Sequence, residues 1–349
     1  MLWLSFRQFR GQAAVVAAAL VALAVLLVIV GLQALDDYHA TVTSCVTSGG
    51  CSGAAAEFVH RYQQMGQWLS GLVLVVPGLV GIFWGAPLLA RELESGTFRL
   101  AWTQGVSRAR WTLCKLGLLG LASMAVAGLC SLLVTWWSSP LDLAVGAGPF
   151  ANFDTRGIVP IGYAAFAFSL GVGMGAVMRR TVAAMGATLV AFVGVRLAFM
   201  QWVRPHLMAP VVTRLPFRVN SLQRIQIGSH LPQGAWVVSQ SVVNAAGQHI
   251  SGGPGGLLDI PVTNVGPGGI SIPGVGTCAN IRPTTAQLAQ PQTMTGLITR
   301  CFNQLHLTTV TTYQPANRYW PLQTYEALIF LAAAAAVGAF TVWWVRRIN

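Results

Sequence analysis

The chain has 349 residues, of which 54% are hydrophobic and only 9% charged, whereas an ordinary globular domain is about a quarter charged. So little charge excludes a water-compatible surface over a fold of this size. The net charge of +12 comes from 21 basic and 9 acidic residues, but the basic side chains are scattered around apolar runs instead of gathered on one face, which argues against a nucleic-acid partner. Twenty of the basic residues are Arg, and with the Ala, Gly and Val bias this points to a GC-rich bacterial genome.

Met1 to Gln12 sets Leu2, Phe6 and Phe9 at helical spacing beside Arg7 and Arg10 and reads as an interfacial elbow helix, with a frayed terminus as the plainer alternative. Six segments then follow that are apolar and, at ~1.5 Å per residue, long enough to cross a hydrocarbon core of about 30 Å. They are Ala13 to Leu35, Trp68 to Leu89, Trp111 to Trp137, Ile158 to Val177, Thr181 to Val203 and Thr324 to Val345. The first exceeds the apolar run of a secretory signal, so it is expected to stay as a membrane helix. Trp68, Trp111, Trp136, Trp137, Trp202, Trp343 and Trp344 recur at the ends of the runs, where amphipathic rings sit at headgroup level. Pro77 and Pro87 are expected to bend or end the second span, and Gly171 to Gly175 in the fourth carries a G-x-x-x-G spacing that lets helices approach closely. Lys115, one turn into the third span, is expected to snorkel back toward water.

Orientation follows from the basic residues between spans. The segments 1–12, 90–110, 178–180 and 346–349 hold ten Arg in 40 residues, while 36–67, 138–157 and 204–323 hold nine in 172. The first set is therefore cytoplasmic, and so are both termini. All six His then fall outside. The outer Cys45 and Cys51 share one loop and Cys278 and Cys301 another, two pairs suited to disulfides in an oxidising compartment, with no C-x-x-C or H-x-x-x-H spacing to suggest a metal. Arg196 in the fifth span and Glu326 at the opening of the sixth both lie toward the outer leaflet, where they are expected to form an intramembrane ion pair or to snorkel, with a role in the substrate path as the sharper alternative.

Residues 204–323 are too many for a structureless connector. Short alternating runs at Gly234 to Val238 and Leu307 to Tyr313 predict strands, Gly252 to Gly276 reads as an irregular loop from its Gly and Pro density, and Thr284 to Leu305 looks helical. The predicted fold is thus an all-α integral membrane bundle of six transmembrane helices with a small extracellular α+β domain between helices five and six. Its parts are 1–203 with a cytoplasmic loop at 90–110, the extracellular domain 204–323, and 324–349 with the last span and tail. Membrane lipid is a necessary partner.

Catalytic motifs for phosphate binding, metalloprotease or serine-hydrolase chemistry are absent from the sequence, so no enzyme activity, ATP hydrolysis included, is assigned to this chain. Its one sizeable cytoplasmic loop carries Arg91, Glu92 and Glu94 ahead of Ser95 and Gly96, and those two Glu are the only acidic residues on that side. A charged turn of helix of this kind suits docking on a soluble partner, and equally suits a solvated reversal of the chain.

The run Ala90-Arg91-Glu92-Leu93-Glu94-Ser95-Gly96-Thr97, with Trp102 to Trp111 and Lys115-Leu116-Gly117 after it, resembles the permeases of type-2 ATP-binding-cassette exporters. Tyr313 to Pro321 also looks like members of this group, although the outer segment is far longer than in simple ones. The resemblance implies that Arg91, Glu92, Glu94, Gly96 and Thr97 couple to a separately encoded ATPase. It implies two ATPase copies, which bind ATP and Mg, and a second copy of this permease or a similar one. It further implies ATP-driven efflux of a hydrophobic or amphipathic substrate across the plasma membrane, with no cofactor in this chain. The competing reading is a membrane-anchored sensor or assembly protein whose outer domain binds a ligand without transport.

Overall fold

The computed structural model describes residues 2–43, 52–94, 108–145, 148–216, 232, 234–244, 247, 249–254, 264–266, 269–272, 276–278, 297, 300, 301, 304 and 307–347. Their contacts divide the chain into two units, Met1–Leu207 with Tyr319–Asn349, and Met208–Arg318.

The first unit is helical. It contains α1 (Leu2–Asp37), α2 (Ser52–Val80), α3 (Ala86–Glu94), α4 (Arg108–Val145), α5 (Val159–Met178), α6 (Thr181–Ala198) and α7 (Tyr319–Arg347). A π-helical turn, Gly81–Gly85, fuses α2 to α3, and Phe199–Val203 and Arg204–His206 prolong α6. Among the described residues six helices are long and apolar enough to cross a membrane: Ala18–Thr41, Glu57–Glu94, Ala109–Asp142, Val159–Met178, Thr181–His206 and Ala316–Arg347. Large apolar side chains stand outward along them, as at Val21, Leu132, Val190 and Leu328, which suits a hydrocarbon solvent and would be untenable in water.

Helix α5 is the centre. Two thirds of its apolar stretch is buried, against 17% for the first span, and its small residues explain how neighbours reach it. A Cβ on Gly171 would lie 2.2 Å from the Gly81 carbonyl oxygen, and one on Gly175 would lie 2.4 Å from that of Ala86. The G-x-x-x-G spacing therefore receives the π-helical turn of the second span, backbone against backbone. Within that turn the Ala86 N–H reaches back five residues to the Gly81 carbonyl, and Pro87, lacking an N–H, follows at once. This widened turn lies between Pro77 and Pro87, the two residues expected to bend or end the span, and the helix continues through it.

The last helix starts earlier than expected. Tyr319-Trp320-Pro321 belongs to α7, because a Pro in the first turn forgoes an N–H that has no helical partner there. Glu326 therefore lies two turns inside the helix instead of opening it. Gln323, fully buried on the same helix, accepts the N–H groups of Ile158 and Val159 at 3.1 and 3.0 Å and donates to the Phe153 and Arg156 carbonyls at 2.9 and 3.1 Å. A side chain from the far end of the chain thus caps α5.

The second unit holds an antiparallel four-stranded sheet, order β1-β7-β2-β3, built from β1 (Val211–Pro216), β2 (Trp236–Val243), β3 (His249–Pro254) and β7 (Thr308–Gln314). A second sheet joins β4 (Asn264–Gly266), β5 (Gly269–Ile272) and β6 (Gly276–Cys278). The irregular loop expected over 252–276 is corrected where residues are described: Val265 pairs with Ile270 and Ser271 with Thr277 in antiparallel register, ladders that Gly weakens but does not forbid. Cys278 and Cys301 are joined as a disulfide. Cys45 and Cys51 lie outside the described residues, as does most of Thr284 to Leu305.

Candidate functional site

The helical unit concentrates its polar chemistry at the two ends of α5. At its C-terminal end Arg179 takes a left-handed conformation (φ 54°) and closes the helix with a hydrogen bond from its N–H to the Gly175 carbonyl, so that α6 begins at Thr181. The last turn of α3 lies beside it. Glu94 Oε2 accepts from the Thr181 N–H at 3.1 Å and from its Oγ1 at 2.8 Å, which makes a carboxylate on one span the N-cap of another and places a negative charge at the positive end of a helix. Glu92 Oε1 lies 2.5 Å from Lys115 Nζ on α4, and that ammonium also sits 4.2 Å over the Trp111 ring.

Lys115, 4% exposed, therefore does not snorkel to water; it is buried against Glu92, since an ammonium deep in apolar surroundings needs an anion. Of the residues singled out in this loop, Arg91 is exposed, Glu92 and Glu94 are bound to α4 and α6, and Gly96 and Thr97 lie outside the described residues. The two carboxylates are engaged within the chain and tie one short helix to the third and fifth spans at once.

At the other end of α5 five polar side chains close on one another. Arg204, following α6, sets its guanidinium on Glu326 through Nε to Oε2 at 2.9 Å and Nη2 to Oε1 at 2.8 Å. It also reaches Asp154, with Nη1 to Oδ2 at 3.1 Å and a second contact from Nη2 to Oδ1. Tyr163 Oη bonds Asp154 Oδ1 at 3.0 Å and also contacts Glu326, serving either carboxylate with its single proton. Arg196 joins from α6, Nη2 to Asp154 Oδ1 at 3.1 Å, with its guanidinium 3.9 Å over the Tyr163 ring.

Two Arg and two carboxylates make the cluster neutral, which is what permits its burial. The direct Arg196–Glu326 pair expected from sequence is corrected: each has another partner, Asp154 for Arg196 and Arg204 for Glu326. Counting from opposite ends placed both near one end of the bundle, but the actual partners come from the segment before α5 and the extension after α6, whose positions are tertiary facts. Asp154, Tyr163, Arg204 and Gln323 escaped the sequence reading; the only signal available was that each is polar or charged within a turn or two of a span end.

Burial pushes the Asp154 carboxyl up, but the Arg204 hydrogen bonds, the charges of Arg204 and Arg196 and the Tyr163 hydroxyl outweigh it and hold the group below its ordinary value of 3.8. A carboxylate so depressed contributes stability that is present above about pH 4 and lost as pH falls through its folded value. Melting profiles of the wild type and Asp154→Asn in detergent are therefore expected to differ at pH 7 and to converge on acidification below pH ~4; a gap independent of pH would refute that linkage.

A family model described as ABC-2 membrane transporter related matches residues 17–204, more than half of the chain, ending at Arg204 of the buried cluster. No curated protein matches the chain, and no solved structure does.

Proposed function

We propose that this chain, which belongs to the ABC-2 membrane transporter-related family, couples substrate movement to a separately encoded ATPase through the short helix α3. Membership makes it a multi-pass membrane permease component and not itself an ATPase. The observation that carries the finer reading is the double tie of α3, Glu92 to Lys115 and Glu94 to Thr181. A displacement of α3 by a docked partner would be passed to the third and fifth spans together, with Arg91, exposed on the same turn, available to the partner's surface.

In this reading the α3 end is cytoplasmic, residues 204–323 are extracellular, two ATPase copies bind ATP and Mg, and a second permease copy completes the path. Transport is outward across the plasma membrane of a GC-rich bacterium, and the cargo is hydrophobic or amphipathic. Support for the cargo class comes from a crevice of about 340 Å³ between α2 and α6, walled by Leu74, Gly78, Phe192 and Met200, which ends on Arg196 and Asp154.

Tagged chain purified from its host membranes is expected to bring down an ATPase in roughly equal amount. Glu94→Ala is expected to leave that assembly intact while lowering ATP turnover of the complex about fivefold or more, in the range of ordinary coupling energies. Recovery of the chain without any ATPase would refute the reading, and unchanged turnover in Glu94→Ala would remove α3 from the coupling route.

A further inference from the structure

We infer that the end of the helical unit where α5 and α7 finish is a binding surface for anionic phospholipid headgroups, which follows from membrane embedding and does not rest on the transport reading. The two helices run side by side in the same direction. A Cβ on Gly162 would meet the Ala327 carbonyl oxygen at 3.0 Å, and one on Gly173 would meet Thr341 Oγ1 at 3.1 Å. Val345 packs into the same core cluster as Val172 and Ala176. Both helices therefore end at one depth, each on a pair of basic residues: Arg179 and Arg180 after α5, Arg346 and Arg347 in the last turn of α7.

All four are exposed, and none forms an ion pair among the described residues. Glu92 and Glu94, the carboxylates described at this end, are held by Lys115 and Thr181, and Arg180 reaches Glu94 only as a charge at longer range. Four cations gathered at one level without a matching set of anions attract negative charge from outside the chain.

Neither Arg of the α5–α6 turn is consumed in building it. Arg179 holds φ 54°, a left-handed conformation that glycine adopts without cost and a residue with a Cβ does not. Glycine would close α5 with less strain, so an Arg here supplies something other than the turn. Arg180 is extended and makes no side-chain cap to α6, a task that Glu94 performs instead.

The residues just before the cations decide the kind of partner. Val177 and Met178 on α5 are exposed, and Phe340 and Trp343 on α7 are each 45% exposed. Phe340, Trp343 and Arg347 recur at the i, i+3, i+7 spacing of one helix face, and the Arg347 guanidinium lies 4.1 Å over the Trp343 ring. Apolar surface thus gives way to cations within about one turn, ~5 Å along the axis, as acyl chain gives way to phosphate in a leaflet. An acidic face of a soluble protein would meet the cations but would leave the aromatic and aliphatic side chains beside them uncovered.

The test is native mass spectrometry of the purified full-length chain, delipidated in detergent and offered equal amounts of dioleoylphosphatidylglycerol and dioleoylphosphatidylcholine. These lipids share chains and phosphate and differ in net headgroup charge. Wild type is expected to retain phosphatidylglycerol preferentially. Two double variants, Arg179→Gln with Arg180→Gln and Arg346→Gln with Arg347→Gln, are expected to lower that preference about fivefold per guanidinium removed, the scale of one basic residue at an anionic surface. Arg61→Gln, at the opposite end of the bundle and already paired with Asp37, is expected to leave it unchanged. Arg179→Gly removes one charge and relieves the left-handed turn, so it is expected to melt no lower than wild type while losing its share of the preference, which separates headgroup binding from folding.

Equal retention of the two lipids by wild type, or a preference that survives both double variants, would overturn the proposal. Loss of ATPase co-purification in Arg346→Gln with Arg347→Gln, at unchanged lipid preference, would assign the surface to a protein partner and overturn it as well.

Discussion

Replacing Arg204 by Ala is expected to destabilise the helical unit by about 3–5 kcal/mol, the usual consequence of removing one partner from a buried ion pair. Arg204 is the only group that bonds both carboxylates of the cluster through its guanidinium among the described residues. Its loss would leave Glu326, fully buried, with no cation, and Asp154 with Arg196 alone. The measurement is the thermal unfolding midpoint in detergent together with yield from membranes. A charge-balanced double variant, Arg204→Met with Glu326→Leu, separates a missing charge partner from a missing shape. It keeps the Arg196–Asp154 pair, removes the other pair whole, and is expected to recover most of the loss, since apolar replacement of an entire buried pair is often neutral. Equal destabilisation by the single and double variants would show that geometry, not charge balance, holds this end of α5.

The second large effect is expected at Gly171. Any Cβ there meets the Gly81 carbonyl oxygen at 2.2 Å and the Ala86 nitrogen at 2.8 Å, both backbone atoms that cannot rotate away. Gly171→Ala must force α5 and the π-helical turn apart, and about 1–3 kcal/mol is the usual scale for overpacking of this kind, more for Gly171→Leu. Gly186 on α6 has nothing within 4 Å of a built Cβ, so Gly186→Ala is expected to be neutral or to gain up to about 1 kcal/mol from helix propensity. Opposite signs for one chemical change at two membrane glycines would be read from the same melts. A neutral Gly171→Ala would mean that the close approach is not needed for the fold.

The two ends of α5 differ in how far sequence reasoning reached them. At the Glu92 end, three charged residues in a short loop stood out because nothing else acidic lay on that side, and a family resemblance assigned them a role. Their direction did not follow: a carboxylate in a loop looks solvated until its neighbours are known, and here those neighbours are Lys115 and Thr181, which only the return of α4 and α6 brings alongside. At the Glu326 end, Arg196 and Glu326 are visible as charges in apolar runs, but the sequence offers them only each other or the interface. Arg204 looked like the first residue of a loop, and Asp154 like a loop acid, until the α6 extension and the turn before α5 carried them inward. Gln323 offered no signal, because a Gln just after Trp-Pro-Leu reads as a loop residue and its capping of α5 is wholly long-range.

Local composition was enough to establish that this chain has the helices to span a membrane, where the six among the described residues lie, and which loop carries the charged turn. Those properties are local because hydrocarbon admits only segments whose side chains are apolar and whose backbone bonds are internally satisfied. Which charge meets which, which helix is central and where backbones touch emerged only from the folded chain. A buried ion needs a partner, but the depth and rotation of each helix choose the partner. Those are fixed by glycine contacts such as Gly171 on Gly81 and by caps such as Gln323 on α5, interactions between residues far apart in the chain.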